Sequence, residues 1–175
     1  MAGDERLRLF LALRLPDDTV DELTAWQERE LRGRVVAPGN LHVTLAFLGS
    51  RPVEELPAIL EVLARAAAAA EPASLAATGY RETRSVGMLT LADATGAATR
   101  LAGRLHADLA ELGVYRPEAR PWLPHVTVLR FRERPRLRPE APALGWVSSD
   151  AAAFLSRLHP TGARYEVLNS FRLGG

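Results

Sequence analysis

The chain has 175 residues, of which 47% are hydrophobic and 25% are charged, and its formal net charge is +1. This composition is that of an ordinary globular protein, so it excludes disordered and fibrous classes and gives no overall attraction to nucleic acid or membranes. Cysteine is absent, which excludes disulfides, thiolate nucleophiles and cysteine-bound zinc. Histidines, carboxylates, hydroxyls and arginines are left to carry any chemistry.

The first half of the chain begins with a predicted strand and helix. Leucines alternate with arginines over 6–15, a pattern typical of a half-buried strand. Asp17 can cap a helix that runs to about Leu31, because acidic residues fill the first turn of that helix. The sequence PGN then precedes a strand predicted to end at Gly49, and leucines at helical spacing predict a helix from Pro52 to about Ala70.

The second half of the chain predicts further strands around one helix. Proline and glycine mark the breaks, and the turn HPTG indicates a closing hairpin. Because strands and helices follow one another without a steady βαβ rhythm, we expect an α+β fold. The predicted elements are strands over Ser74–Thr83 and Val86–Leu91, a helix over Ala97–Leu112, a strand containing a second His-Val-Thr, a loop over Arg132–Pro142, and strands over Ala153–Leu158 and Ala163–Phe171.

The pattern His-Val-Thr followed by an aliphatic residue occurs once in each half, at His42–Leu45 and at His125–Val128. Side chains alternate along a strand, so the histidine and threonine of each copy point to one face. The apolar residues, with Phe47 in the first copy, point to the other face and into a core. Two copies in different halves of the chain predict two lobes that meet at a cleft, each contributing one imidazole.

Two facing imidazoles supply the proton acceptor and the proton donor that in-line transfer at phosphorus requires. An unperturbed pKa near ~6.5 lets one ring be neutral while the other is protonated. The hydroxyls of Thr44 and Thr127 and a nearby arginine would hold the non-bridging oxygens. The competing interpretation is a metal site with two histidine ligands, but neither strand carries Asp or Glu at an adjacent position on the same face. We therefore expect no metal or other cofactor.

The repeated pattern resembles that of a known family. The sequences NLHVTLAFLG and LPHVTVLRF, together with the opening RLFLALRLP and the close ARYEVLNSFRLGG, are similar to stretches of the two-histidine phosphoesterases. They are most similar to the bacterial and archaeal RNA 2′,3′-cyclic phosphodiesterases, also called 2′-5′ RNA ligases. The resemblance implies one bilobal domain over 1–175 with a pseudo-twofold α+β fold. Two antiparallel sheets would face a central cleft, with helices packed outside.

The resemblance also implies an activity and residue roles. Members open a 2′,3′-cyclic phosphate at an RNA end to leave a 2′-phosphate, without a metal, and some join tRNA halves through a 2′-5′ bond. By position, His42 matches the proton donor to the 3′ oxygen and His125 matches the acceptor that activates water. Thr44 and Thr127 match the threonines that hold the phosphate, and Arg130 matches an arginine that contacts it.

The position of Arg130 and the source of base stacking depend on local geometry. Strict alternation places Arg130 on the valine face of its strand, away from His125, unless a bulge intervenes. Tyr80 and Trp122 are the candidate aromatics for stacking on a base, although core packing is favoured for Trp122. The sequence therefore leaves base preference open.

Other polar features have structural interpretations beside functional ones. His106 is predicted to lie on the exposed face of its helix. The loop Arg132–Pro142 is predicted to be solvated, and its functional alternative is a guide for RNA phosphates at the cleft rim. Arg157 and Tyr165 lie on the last two predicted strands, where they would flank the cleft.

Three functions of different class follow from these features. The favoured one is a metal-independent cyclic phosphodiesterase acting on RNA ends, such as those of tRNA halves. The others are an RNA-end-binding module without turnover and a phosphoesterase acting on a small cyclic nucleotide phosphate. The apolar run over 7–15 is short and interrupted by arginines, so it is neither a signal sequence nor a membrane span. We expect a cytoplasmic monomer without a membrane partner.

Overall fold

The computed structural model describes residues 4–175, in which two antiparallel sheets and three α-helices follow one another in mixed order. The prediction of an α+β fold is confirmed. No helix in this part of the chain has both the length and the apolar character needed to cross a membrane. The elements are β1 (Arg6–Arg14), α1 (Asp17–Glu30), β2 (Arg34–Val35), β3 (His42–Pro52), α2 (Leu56–Ala69), β4 (Ala73–Glu82), β5 (Val86–Asp93), α3 (Ala97–Leu112), β6 (His125–Arg130), β7 (Gly145–Ser148), β8 (Asp150–His159) and β9 (Gly162–Arg172).

The two His-Val-Thr strands belong to different sheets. The four-stranded sheet has the order β3-β1-β8-β9, and the five-stranded sheet has the order β2-β6-β5-β4-β7. Strands β3 and β6 also contact each other, although each is hydrogen-bonded within its own sheet. The prediction of two antiparallel sheets is confirmed.

Each sheet buries one face against helices, here called its helix face. The leucines that alternate along β1 do this, because Leu9, Leu11 and Leu13 are all fully buried. Helix α2 contacts β8 and β9, and α3 contacts β3, β4 and β5. The opposite face of each sheet, here called its cleft face, carries the signature histidine.

The four-stranded sheet curls until β9 returns toward the start of β3. The amide of Asn40 donates a hydrogen bond of 2.9 Å to the carbonyl of Ala163 and ties the two edges together. This closure places the ring of Tyr165, on β9, edge-on to the ring of His42 with centroids 5.5 Å apart. A strand at the far end of the sheet order therefore forms part of the wall around a signature histidine.

A β-bulge follows each signature threonine. The pairing of β3 with β1 skips Leu45, and the pairing of β6 with β5 skips Val128. Because an inserted residue reverses the alternation beyond it, the side chain three positions after each threonine returns to the cleft face. The two halves of the chain thus repeat an irregularity as well as a motif.

The strand bounds differ from the prediction where elements are short or extended. Strands β2 and β7 are not predicted by the sequence pattern, because two or four residues are too few to show an alternation. Strand β3 runs through the predicted end at Gly49 to Pro52, and α2 therefore begins at Leu56. The closing hairpin is longer than predicted at both ends, since β8 and β9 pair from Asp150↔Arg172 to His159↔Gly162.

The loop Arg132–Pro142 has exposed arginines, as predicted, but its backbone is anchored. The buried carboxylate of Glu82 accepts hydrogen bonds from the Leu137 N–H at 3.0 Å and from Arg134 Nε at 3.3 Å. Burial alone raises the pKa of Glu82, but hydrogen bonds from Tyr80 and from this loop lower it below the ordinary value. Trp26 of α1 also donates to the Glu140 carbonyl at 3.0 Å. These partners lie on the helix side, which gives no support to a guide at the cleft rim.

Candidate active site

The two signature histidines are held in the same way. His42 Nδ1 lies 2.8 Å from the carbonyl of Asn40, and His125 Nδ1 lies 2.8 Å from the carbonyl of Leu123. A carbonyl oxygen only accepts, so Nδ1 of each ring carries the hydrogen. In the neutral ring, Nε2 is then the nitrogen that carries the lone pair and accepts hydrogen bonds. In each half, a backbone carbonyl two residues before the histidine fixes its tautomer and leaves Nε2 for proton transfer.

His42 lies deep in the cleft, where its ring packs on aromatic side chains. Its ring centroid is 4.8 Å from that of Phe10, which in turn stacks on Phe154 at 5.0 Å. Its Nε2 accepts a hydrogen bond of 2.8 Å from the hydroxyl of Thr44. The pKa of His42 is lowered from 6.5 to about 4, mainly by burial and also by the positive charges of Arg130 and His125, whereas the hydrogen bond to Asn40 acts in the opposite direction. His42 is therefore neutral at pH 7 in the free protein.

The lowered pKa of His42 predicts a loss of stability in mild acid. The unfolded chain binds a proton at His42 near pH 6.5, whereas the folded chain binds it only near pH 4. Between these values the unfolded state holds more protons, so the contribution of His42 is present above pH 6.5 and is lost as the pH falls toward 4. From pH 7 to pH 5, His42 should reduce the free energy of unfolding by about 2 kcal/mol. Urea unfolding at both pH values measures this.

His42→Gln is the control for that experiment, because its amide does not titrate. The unfolding free energy should therefore change between pH 7 and pH 5 by about 2 kcal/mol less in this variant than in the natural chain. An identical pH dependence in both proteins would show that His42 titrates normally.

Arg130 points into the cleft, which settles the ambiguity left by strict alternation. The bulge at Val128 returns it to the face of His125 and Thr127. Its Nη2 donates a hydrogen bond of 3.4 Å to the hydroxyl of Tyr165 across the cleft, and its charge acts on His42. The five predicted site residues therefore lie around one cleft: His42 and Thr44 on β3, and His125, Thr127 and Arg130 on β6.

Phe47 also lies on the cleft face, and the prediction that it enters the core is wrong. The bulge at Leu45 reverses its direction, so that it stands opposite Phe10 in the β1–β3 ladder. Its side chain is 50% exposed, and the guanidinium of Arg8 lies 5.0 Å from the centre of its ring. Phe47 lies three residues after Thr44, as Arg130 lies three residues after Thr127. Aligning the two copies of the motif beyond their first four residues would have indicated that Phe47 and Arg130 occupy equivalent positions.

Both bulges are fixed by side chains of helices. At the first bulge, the Leu45 carbonyl accepts a hydrogen bond of 2.7 Å from His106 Nε2 of α3. At the second, the Val128 carbonyl accepts one of 2.9 Å from the buried amide of Gln27 in α1. His106 is thus half-buried and hydrogen-bonded, which corrects the prediction that it lies on an exposed helix face.

The two aromatics proposed for base stacking lie elsewhere. Tyr80 faces the helix side, where its ring centroid is 6.4 Å from that of Trp26 and its hydroxyl donates to Glu82. Trp122 packs against the core, as favoured, and donates from Nε1 to the carbonyl of Thr44 at 3.1 Å. Across residues 4–175, no three or more His, Cys, Asp or Glu side chains are grouped so that they could hold a metal ion.

Comparisons with known proteins agree with this architecture. The RNA 2′,3′-cyclic phosphodiesterase of Thermus thermophilus is 37% identical over 181 residues, which cover 97% of this chain and 91% of that protein. The RNA 2′,3′-cyclic phosphodiesterase of Escherichia coli is 31% identical over 129 residues, covering 72% of this chain and 73% of the relative. A crystal structure of a Thermus thermophilus protein superposes with a TM-score of 0.84 at 33% identity, covering 97% of this chain and 99% of the other.

A model of the 2′-5′ RNA ligase superfamily matches residues 15–159, a range that includes both bulged strands and both histidines. Two relatives of more than 30% identity align with most of the chain, so the similarity is not confined to the short motifs. The chain belongs to the 2′-5′ RNA ligase superfamily.

Proposed function

We propose that the chain opens the 2′,3′-cyclic phosphate at an RNA end and leaves a 2′-phosphate, by general acid–base catalysis without a metal. The observation that carries this proposal is the matched pair of imidazoles. Each is fixed by Nδ1 to a backbone carbonyl at 2.8 Å, one on β3 and one on β6. A pair held in this way has one nitrogen on each side of the cleft to exchange a proton with a phosphate ester. The names of the two relatives specify the same substrate.

The reaction needs two proton transfers around one displacement at phosphorus. His125 Nε2 takes a proton from water as the water oxygen bonds to phosphorus. The bond from phosphorus to the 3′ oxygen breaks, and His42 Nε2 gives that oxygen a proton, which leaves the phosphate on the 2′ oxygen. Thr44, Thr127 and Arg130 hold the non-bridging oxygens, on which negative charge increases in the transition state.

The role of His42 as donor requires that it be protonated when the substrate is bound. In the free chain it is neutral, because burial and two nearby positive charges lower its pKa to about 4. A bound cyclic phosphate brings a negative charge beside Arg130 and His125 and so raises the pKa of His42. Proton uptake then accompanies substrate binding, and a tightly held proton is placed where the 3′ oxygen leaves.

Phe47 is proposed to bind the terminal base. Its exposed ring lies on the cleft face three residues beyond Thr44, so a nucleoside whose phosphate lies at the histidines can reach it. Aromatic rings stack on any base without sequence preference, which suits an enzyme that acts on RNA ends. The cleft would thus bind the phosphate on the β6 side and the base on the β3 side.

The same groups can also serve the joining reaction. If the 5′-hydroxyl of a second RNA replaces water, His125 takes its proton and the displacement of the 3′ oxygen gives a 2′-5′ bond. Members of the family that act on tRNA halves would use the site in this way. We propose that the protein works as a monomer in the cytoplasm, which size-exclusion chromatography and cell fractionation test.

The proposal is tested by incubating the purified protein, with EDTA present, with a short RNA that ends in a 2′,3′-cyclic phosphate. We expect complete conversion to a 2′-phosphate end, identified by its resistance to an enzyme that removes only 3′-phosphates. A 3′-phosphate product would reverse the assigned polarity. Inhibition by EDTA that added metal restores would refute metal independence, and tight binding without any product would favour the binding-module alternative.

A further inference from the structure

A groove lies outside the cleft, beyond the ring of Phe47. It separates the end of β3 from the turn that follows α3, and its volume is about 410 Å³. Ligand pockets commonly measure ~300–1,000 Å³, so the space suits one nucleotide. Phe47 lies on the cleft face of β3 and also lines this groove, so it is common to both. This space is here called the outer groove, and its lining includes Phe47, Gly49, Arg51, Gly113, Tyr115 and Arg116.

Arginines surround the outer groove, although one acidic residue is also near, since burial and the negative charge of Glu118 raise the pKa of Tyr115. Arg51 is already neutralised by Glu55, to which it donates from Nε and Nη2 at 2.6 and 2.9 Å. Arg116 is exposed and makes no ion pair with any Asp or Glu among the described residues. Arg8 lies over the ring of Phe47 at the boundary with the cleft. A guanidinium without a partner beside an aromatic ring is the combination that binds single-stranded nucleic acid.

The aromatic wall of the outer groove is rigid. Tyr115 stacks on His106 with centroids 4.8 Å apart and ring planes 23° from parallel. His106 is itself fixed to β3 by its hydrogen bond to the Leu45 carbonyl. Gly113 ends α3 with a φ of 83°, a left-handed conformation that turns the chain sharply in front of Tyr115. The wall is therefore in place before a ligand arrives, which lowers the entropic cost of binding.

We infer that the outer groove binds the nucleotide immediately 5′ of the cyclic-phosphate end. Arg116 contacts the phosphate that joins this nucleotide to the terminal one, and its base stacks against Tyr115. The inference rests on the proposed function, since it assumes a terminal nucleoside on Phe47. It assigns the substrate class as oligonucleotides and excludes a preference for mononucleotide cyclic phosphates.

The test compares two substrates with the same terminal nucleoside: uridine 2′,3′-cyclic phosphate and the dinucleotide UpU with a 2′,3′-cyclic phosphate end. The natural protein should have a kcat/KM for the dinucleotide about tenfold or more above that for the mononucleotide, as expected for one charge-assisted phosphate contact. Arg116→Ala should remove most of this advantage and change the mononucleotide value less than about twofold. It should also flatten the dependence of log KM on log salt by about 0.7 for the dinucleotide.

Two further variants separate the possible outcomes. Phe47→Ala should lower kcat/KM for both substrates, because it borders the cleft and the groove, whereas Arg29→Ala, an exposed arginine on α1, should change neither. Equal kcat/KM for the two substrates in the natural protein, or an equal loss for both in Arg116→Ala, overturns the outer-groove inference and leaves the proposed function standing. If neither substrate is hydrolysed, the proposed function fails and this inference fails with it.

Discussion

Replacing either cleft histidine by alanine should lower kcat on a cyclic-phosphate RNA end by roughly 10²–10⁴, the usual contribution of a positioned acid or base. The two losses should not add in the double variant, because the acid and the base act on one transition state. Each single variant should also lose one limb of a bell-shaped pH profile, since one titrating group has been removed. Steady-state kinetics from pH 5 to pH 9 measures all three effects.

A third histidine supplies the control for this prediction. His159 is exposed at the end of β8, and His159→Ala should keep kcat within about twofold of the natural value. Far-UV circular dichroism should be unchanged in every variant, because neither cleft ring belongs to the main helix-face core. If activity survives in both His42→Ala and His125→Ala, the two-histidine mechanism is wrong. If activity disappears together with the circular dichroism signal, His42→Gln, which preserves more of the side-chain volume, repeats the test.

The sequence predicts the parts of this fold that depend on local periodicity. Alternating leucines identify β1, and the spacing of apolar residues identifies α2. The repeated His-Val-Thr places two imidazoles on strands in different halves, and the structure puts those strands in two sheets that meet. Local patterns are sufficient for these elements because each is long enough to show its period.

Strict alternation fails at the two bulges, and they decide the orientation of Phe47 and Arg130. A bulge depends on the partner strand and on the groups that hydrogen-bond to the carbonyl of the inserted residue. In this protein His106 bonds to the Leu45 carbonyl and Gln27 to the Val128 carbonyl. Gln27 and Val128 are 101 residues apart, so no window on the sequence contains both. The error on Phe47 follows directly, because strict periodicity does not hold through an irregularity that only tertiary contacts create.

The surroundings of His42 depend on the same kind of long-range contact. Tyr165 reaches it only because the four-stranded sheet curls and Asn40 bonds to Ala163. The lowered pKa of His42 arises from burial and from charges on β6, neither of which its own strand reveals. The sequence therefore predicts the two imidazoles that are proposed to transfer protons, but their protonation states require the folded arrangement.

Arg130→Ala should lower kcat/KM by about 10², because it removes a charge-assisted contact to the phosphate where negative charge develops. It should also raise the pKa of His42, since the charge of Arg130 is one of the causes that lower it. The two effects are measured separately, the first by kinetics and the second by NMR titration of the His42 ring in the free protein. Arg130→Lys should restore the pKa of His42 more fully than the activity, because an ammonium retains the charge but lacks the planar fork of the guanidinium.

The neighbours of Arg130 provide the matched controls. Arg132→Ala removes an exposed arginine just beyond β6 and should leave both kcat/KM and the pKa of His42 unchanged. Tyr165→Phe keeps the ring beside His42 but removes the hydroxyl that accepts a hydrogen bond of 3.4 Å from Arg130. In this variant kcat/KM should fall only about fivefold. If Arg130→Ala behaves like Arg132→Ala in both measurements, then Arg130 neither binds the phosphate nor affects the charge balance of His42. A raised pKa without a loss of activity would instead mean that Arg130 tunes the donor while the two threonines alone hold the phosphate.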